Sequence, residues 1–284
     1  MGSLDSKNVV ITGGSMGIGL AVAMKCVSEG ACVVIAARNK TDLDSAIEQI
    51  NEVSDGGNLA YSLDVSDPVQ VTEFVDVCAN KYKTIDGLVN CAGVYGPIGK
   101  IGDIDMVEFD RAVRINFMGT VSMCNAFVPL IREGKSKKIV NFSGGGAAGP
   151  FPRYSAYASS KAAIVRLTEN ISLELADDGF NVNCIAPGFV VTRLHQQTIE
   201  AGAKAASDEF YEKTKEQVHN GGVPPELSAD LAAFLLSSRS DGISGKFLAA
   251  PYDPWAEKSF QERLRNEKDL ATLRRIDEKF FTSL

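Results

Sequence analysis

The chain has 284 residues, 45% of them hydrophobic, which is enough for one large or two small cored domains of ordinary globular composition. A formal charge of -7 without a cluster of Lys and Arg excludes a polyanion-binding face, so no nucleic-acid partner is expected. No apolar run reaches membrane-spanning length, and the six cysteines show no C-x-x-C spacing, so neither a membrane partner, a disulfide framework nor a metal site is expected.

The first residues lack the charged and then apolar order of a secretion signal, and a cytoplasmic location is the expectation. An apolar run at 9–11 reads as a buried strand. It leads into Thr12-Gly13-Gly14-Ser15-Met16-Gly17-Ile18-Gly19 and then a helical pattern to about residue 29. Strand, glycine turn and helix together form a geometry in which free backbone amides and a helix N-terminus can receive a pyrophosphate. The glycines fall at 13, 17 and 19, spaced G-x-x-x-G-x-G rather than G-x-G-x-x-G.

A second strand is read at 32–36, followed by Ala37-Arg38-Asn39 and a helix from about Thr41, with Asp44 completing a capping box. The residue after this strand meets the adenosine ribose. A carboxylate there suits the 2′-hydroxyl of NAD, whereas Arg38 suits the 2′-phosphate of NADP; the alternative is an arginine that merely ends the strand in solvent. NADP is therefore expected over NAD.

Alternation continues with a strand at 59–63 ending in Asp64-Val65, a helix opening near Pro68, and a strand at 85–89 ending in Asn90-Cys91-Ala92-Gly93. One helix is read from about Asp105 through Asn116 to Ile131. A strand at 139–142 then leaves into Ser143 and a glycine run. The next helix carries Tyr157 and Lys161, four apart and so on one face. An ammonium beside a phenol favours the phenolate, so the pair predicts a tyrosine of lowered pKa that can exchange a proton.

A strand at 182–185 leads through Pro187-Gly188-Phe189-Val190-Val191-Thr192 into a long segment at 193–228, read as a substrate loop or lid. Both histidines, His195 and His219, lie in it and receive no role. A helix at 228–236 and a strand at 245–249 close the alternation. The pattern predicts an α/β fold: a doubly wound parallel sheet in three α/β/α layers, spanning 1–250, with ligands at the carboxyl ends of the strands. From 251 to 284 an extension follows in which Leu270, Leu273, Ile276 and Phe280 recur at helical spacing. This predicts an amphipathic helix docked on its own or a neighbouring subunit.

TGGSMGIG at 12–19, Asp64, NCAG at 90–93, Asn116, YASSK at 157–161 and PGFVVT at 187–192 together resemble the short-chain dehydrogenase/reductase family. The resemblance reaches from the N-terminus to about residue 250. It implies a Rossmann-like domain that binds NAD or NADP, assembles as a homodimer or homotetramer, and moves a hydride to or from a small carbonyl or alcohol. It further implies that Gly13, Ser15, Gly17, Ile18 and Gly19 hold the pyrophosphate and ribose, that Asp64 and Val65 meet the adenine, and that Asn90 and Gly93 line the cleft. Val190 and Thr192 would fix the carboxamide end. Lys161 would bind the nicotinamide ribose and lower the pKa of Tyr157, the proton donor, with Asn116 supporting a proton path to Lys161.

The chain departs from the family at one place. The family's catalytic serine stands thirteen residues before the tyrosine, where this chain has Gly144, and Ser143 lies one position early. Side chains alternate along a strand, so Ser143 reaches the site only if a bulge at 144–146 turns it back. Otherwise Ser155 or a substrate hydroxyl must serve. Two further readings stay open: a dinucleotide-binding sensor or assembly subunit without catalysis, and a ketoreductase or epimerase acting on an activated sugar.

Overall fold

The computed structural model describes residues 2–54 and 56–275. The chain alternates β1 (Asn8–Thr12), α1 (Gly17–Ser28), β2 (Cys32–Ala37), α2 (Lys40–Val53), β3 (Leu59–Ser62), α3 (Pro68–Tyr82) and β4 (Gly87–Asn90). It continues with α4 (Met106–Val113), α5 (Gly119–Arg132), β5 (Lys138–Phe142), α6 (Ser155–Glu174), β6 (Asn181–Ala186), α7 (Arg193–Ala206), α8 (Asp208–His219), α9 (Pro225–Leu236), β7 (Phe247–Ala249) and α10 (Lys258–Asn266). All pairings are parallel, in the order β3-β2-β1-β4-β5-β6-β7. The fold is Rossmann-like, as expected.

The period of two along each strand divides the core. Val9 and Ile11, with Val33 and Ile35, pack under α1, α2 and α9, while Val10 and Val34 face α3 and α5. Strand order reverses beside β1, which pairs with β2 on one side and β4 on the other. A crevice opens at such a switch point because the connecting helices diverge to opposite faces.

Local chemistry explains where the elements start and where the sequence-based reading differs. α2 begins earlier than expected, because Asn39 caps it by accepting from the Asp42 amide; Asp44 completes no capping box there. The helix read through Asn116 is interrupted by a π turn at Arg114–Met118, within which the Asn116 carbonyl accepts from the Thr120 hydroxyl. The segment read as a loop at 193–228 contains α7 and α8, with Gly202 at φ 77° inside α7 and Ser207 at φ 81° between the two.

The extension also differs from its expected form. Helix α10 precedes Leu270 and Leu273, which lie in non-helical chain, and Ile276 and Phe280 fall outside the described residues. Leu264 of α10 is buried against the α1–α9 side of the core. Beyond it the chain crosses the edge of β7, where the Phe247 amide donates to the Ala271 carbonyl. Lys246 Nζ gathers the carbonyls of Glu267, Lys268 and Leu270 at 2.7, 3.2 and 3.0 Å. On the opposite face, Glu169 of α6 accepts from the Leu273 amide and from Arg274 and Arg166. The extension thus straps the sheet edge from one layer to the other on its own subunit. Truncating Leu264 to Ala should cost about 2–5 kcal/mol. Thermal unfolding checks this, and an unchanged midpoint would show that the strap is not part of the cooperative core.

Candidate active site and dinucleotide cleft

At the carboxyl ends of β1, β2 and β4 lies a cleft of about 670 Å³. Its lining includes Gly13, Ser15, Gly17, Ile18, Gly19, Arg38, Asp64, Val65, Gly93 and Thr192, which are ten of the expected cofactor residues. The glycine turn is tight for steric reasons. A Cβ on Gly13, which sits at φ 68°, would stand 2.9 Å from the Ala92 amide nitrogen, and one on Gly19 would stand 2.1 Å from the Gly13 carbonyl oxygen. Thr12 ties the floor together, its hydroxyl accepting from the amides of Cys91 and Ala92. Met16 provides no side-chain cap for α1, so the amides of its first turn are left to a ligand. A cradle that any Cβ would fill, backed by an uncapped helix N-terminus, fits a dinucleotide.

Four expected members do not line it: Asn90 and Val190, and Tyr157 and Lys161 of α6. The Asn90 side chain is buried beneath the floor, donating to Asn141 Oδ1 at 2.9 Å and Cys124 Sγ at 3.3 Å. Val190 is buried and held in an antiparallel bridge to Gly222, while its neighbour Val191 lines the cleft. At each place the next residue along, Cys91 or Val191, faces the cleft while its neighbour turns inward.

Lys161 of α6 reaches the Gly93 wall of this cleft from behind, and Tyr157 stands beside it on the same helix. Lys161 is 4% exposed, its Nζ donates to the Phe142 carbonyl at 2.9 Å, and it lies 5.6 Å from the centroid of the Tyr157 ring. Asn116 is fully buried and clamps Val94, accepting from its amide and donating to its carbonyl, both at 2.8 Å. Gly93 brings the groups together. A Cβ there would be 3.2 Å from Asn116 Oδ1 and 3.4 Å from Lys161 Nζ. Burial pushes the Tyr157 phenol up and the Lys161 ammonium down from their ordinary values. The phenol therefore moves opposite to the expected direction, because its own burial penalises the phenolate and nearby Cys91 adds to this, while the ammonium is engaged by a carbonyl.

Ser143 is not part of this constellation. Its hydroxyl donates to the Lys161 carbonyl at 2.8 Å and it is 2% exposed, locking the end of β5 to α6. No bulge reverses it: Gly144 is fully extended at φ -176°, and the short 3-10 turn begins only at Gly145. Gly144 instead faces the phenol, since a Cβ there would lie 2.6 Å from the Tyr157 hydroxyl oxygen.

Beyond the phenol stands an aromatic wall. The Tyr95 ring is 4.9 Å from Tyr157 and 5.1 Å from Tyr154, and Phe151 stacks on Tyr154 at 4.4 Å. Phe210 of α8 closes on Phe151 at 5.0 Å, and Leu194 and Tyr211 pack on the same cluster. His195, which received no role from the sequence, is buried here. Its ring lies 3.9 Å from Phe189 and 6.0 Å from Tyr95, and its Nδ1 accepts from the Thr192 amide. Burial lowers its pKa to about 4, so the imidazole is neutral at pH 7. A histidine three residues after a threonine at a helix start was the one local signal that could have pointed to this cap.

Residues 7–203 match the family described as short chain dehydrogenase. An uncharacterized oxidoreductase of Bacillus subtilis (strain 168), YxbG, is 33% identical over 253 residues, covering 88% of this chain and 91% of its own. Levodione reductase of Leifsonia aquatica is 30% identical over 241 residues, covering 83% and 89%. A crystal structure of NAD+-bound xylitol dehydrogenase superposes with a TM-score of 0.80 at 26% identity, covering 87% of this chain and 98% of that one. Matched by the family model over 7–203 and by relatives along most of its length, the chain belongs to the short-chain dehydrogenase/reductase family and is an oxidoreductase.

Proposed function

We propose that the protein transfers a hydride between NADP(H) and a carbonyl or secondary-alcohol substrate, with Tyr157 as general acid–base. The observation that carries this reading is the meeting of Lys161 and Asn116 at Gly93, a residue of the cleft lining, with the Tyr157 ring 5.6 Å from the Lys161 ammonium. The nicotinamide, when bound, supplies or accepts the hydride at the substrate carbon. Tyr157 donates its proton to the carbonyl oxygen during reduction and takes it back during oxidation. Its raised pKa keeps it in the proton-bearing form through neutral pH, which suits the reductive direction. Lys161 places a cation beside the phenol, and Asn116 holds Val94 and Gly93 in position next to it.

The choice of NADP rests on Arg38, an exposed guanidinium at the cleft with the uncharged Ala37 before it. The NAD+-bound neighbour pulls the other way, but shares only 26% identity with this chain. For the substrate, the aromatic wall supports an uncharged organic carbonyl compound that packs against Tyr95 and Phe151. The levodione reductase relative, a reductase by its name, supports the reductive direction.

A second reading, a dinucleotide-binding sensor without turnover, is favoured by Gly144, which gives Tyr157 no side-chain hydroxyl neighbour at the family's serine position. Tight NADPH binding with no NADPH consumption across a broad panel of ketones and aldehydes would support it over the first.

Replacing Tyr157 with Phe should lower turnover about 10²- to 10⁴-fold, the usual worth of general acid catalysis, while NADPH binding persists. Retained turnover in Tyr157→Phe would remove the tyrosine mechanism. In the reverse charge variant Arg38→Asp, the preference for NADPH over NADH should fall by about 10-fold or more. An undiminished preference would reject Arg38 as the selector. Introducing the family's serine by Gly144→Ser should reduce kcat rather than raise it, because the new Cβ would stand 2.6 Å from the phenol oxygen unless Tyr157 shifts. Steady-state kinetics decide this, and a gain in kcat would show that the ring moves freely.

A further inference from the structure

The cleft carries a second guanidinium that the sequence motifs do not account for. Arg193 opens α7, immediately after Thr192, whose methyl group would lie 3.3 Å from a Cβ on Gly17 in the glycine turn. From there its side chain crosses to the first turn of α2 and meets Asp42, Nη1 at 3.0 Å from Oδ2 and Nη2 at 3.3 Å from Oδ1. Arg193, Asp42, Arg38 and Asn39 all line the same cleft. The pair therefore spans the cleft between α7 and the end of β2, where a ribose phosphate would meet Arg38.

The partners are unequally placed. The Arg193 side chain is 68% exposed and Asp42 22%, and Arg38 forms no ion pair among the described residues. An ion pair this exposed is held weakly, because water screens it and a long side chain is immobilised. A phosphate offers the same guanidinium more charge and more acceptor oxygens in the fork geometry that Arg prefers. Given the choice, Arg193 leaves a carboxylate for a phosphate. Asp42, left beside that phosphate, opposes it.

Resting on the NADP reading above, we infer that Arg193 is a second guanidinium for the adenosine 2′-phosphate, parked on Asp42 in the free protein, and that Asp42 is a built-in competitor limiting affinity for NADP(H). The arrangement couples cofactor choice to α7, the helix that also carries His195 and Leu194 to the aromatic wall. Transfer of Arg193 from α2 to a bound phosphate would release α7 from its tie to α2.

The test is a fluorescence titration of the full chain with NADPH and with NADH, for the wild type, Arg193→Gln, Asp42→Asn and Arg38→Asp. Arg193→Gln should weaken NADPH binding about 10-fold and NADH binding much less, whereas Asp42→Asn should tighten NADPH binding about 3-fold or more. Asp42→Asn leaves its backbone amide free to keep the Asn39 cap, so α2 is retained. Equal losses for both cofactors in Arg193→Gln would overturn the assignment, as would weakened NADPH binding in Asp42→Asn, which would mark the pair as a simple latch. If the wild type binds NADPH no better than NADH, or Arg38→Asp leaves a preference intact, the NADP reading itself fails. If Arg38→Asp abolishes the preference and Arg193→Gln does not change it, only Arg193 is wrongly assigned.

Discussion

Lys161 is fastened to the end of β5 twice. Its ammonium donates to the Phe142 carbonyl, and its own carbonyl accepts from the Ser143 hydroxyl. These two bonds join the last residues of a central strand to the helix that carries the phenol, and so set where α6 stands over the cleft. Both are buried, where losing one partner would leave a desolvated polar group with nothing in exchange. Asn116 extends the same logic: the π turn directs its amide to Val94, so that β4, β5 and α6 converge on Gly93. A side chain at that meeting point would press on Asn116 Oδ1 and Lys161 Nζ.

This fastening gives Ser143 a structural task and leaves Gly144 facing the phenol. The polar network continues below, from Asn90 through Asn141 to Thr168 and the Ile164 carbonyl. The side chains around Gly93 are thus backed by a second layer of amides and hydroxyls inside the sheet. In a low-dielectric interior such a chain of bonds is rigid because each member depends on its neighbours.

The walls are built differently. Tyr95, Phe151 and Tyr154 come from connections after β4 and before α6, whereas Phe189, His195 and Phe210 come from the β6–α8 region. Their contacts are ring edges and faces, which are non-directional compared with the floor and tolerate sliding. Positive φ angles at Gly188, Gly202, Ser207, Gly221 and Gly222 bound this region at its turns. The strap across β7 lies on the far side of α6, where Glu169 holds it two turns beyond Lys161.

Much of this was legible in the chain itself. Apolar runs separated by helical patterns determined an alternating parallel sheet, because the strand period and the turn glycines are local properties. The Thr12–Gly19 turn, Arg38 and the Tyr157–Lys161 pair could be read because each depends on spacing within one element. Three features could not be read that way. Whether Ser143 or Gly144 meets the phenol depends on how β5 ends against α6. Asn90 turns inward at the end of β4, Val190 is held by its bridge to Gly222, and His195 becomes a neutral buried group only when Phe189 and Tyr95 close around it. The extension shows the same division: its apolar residues announced that it docks, but the surface it docks on was decided by Lys246 and Glu169, more than twenty and a hundred residues away in sequence. Local periodicity is written in neighbours along the chain, whereas burial, facing and competition for a hydrogen bond belong to groups that only the folded sheet brings together.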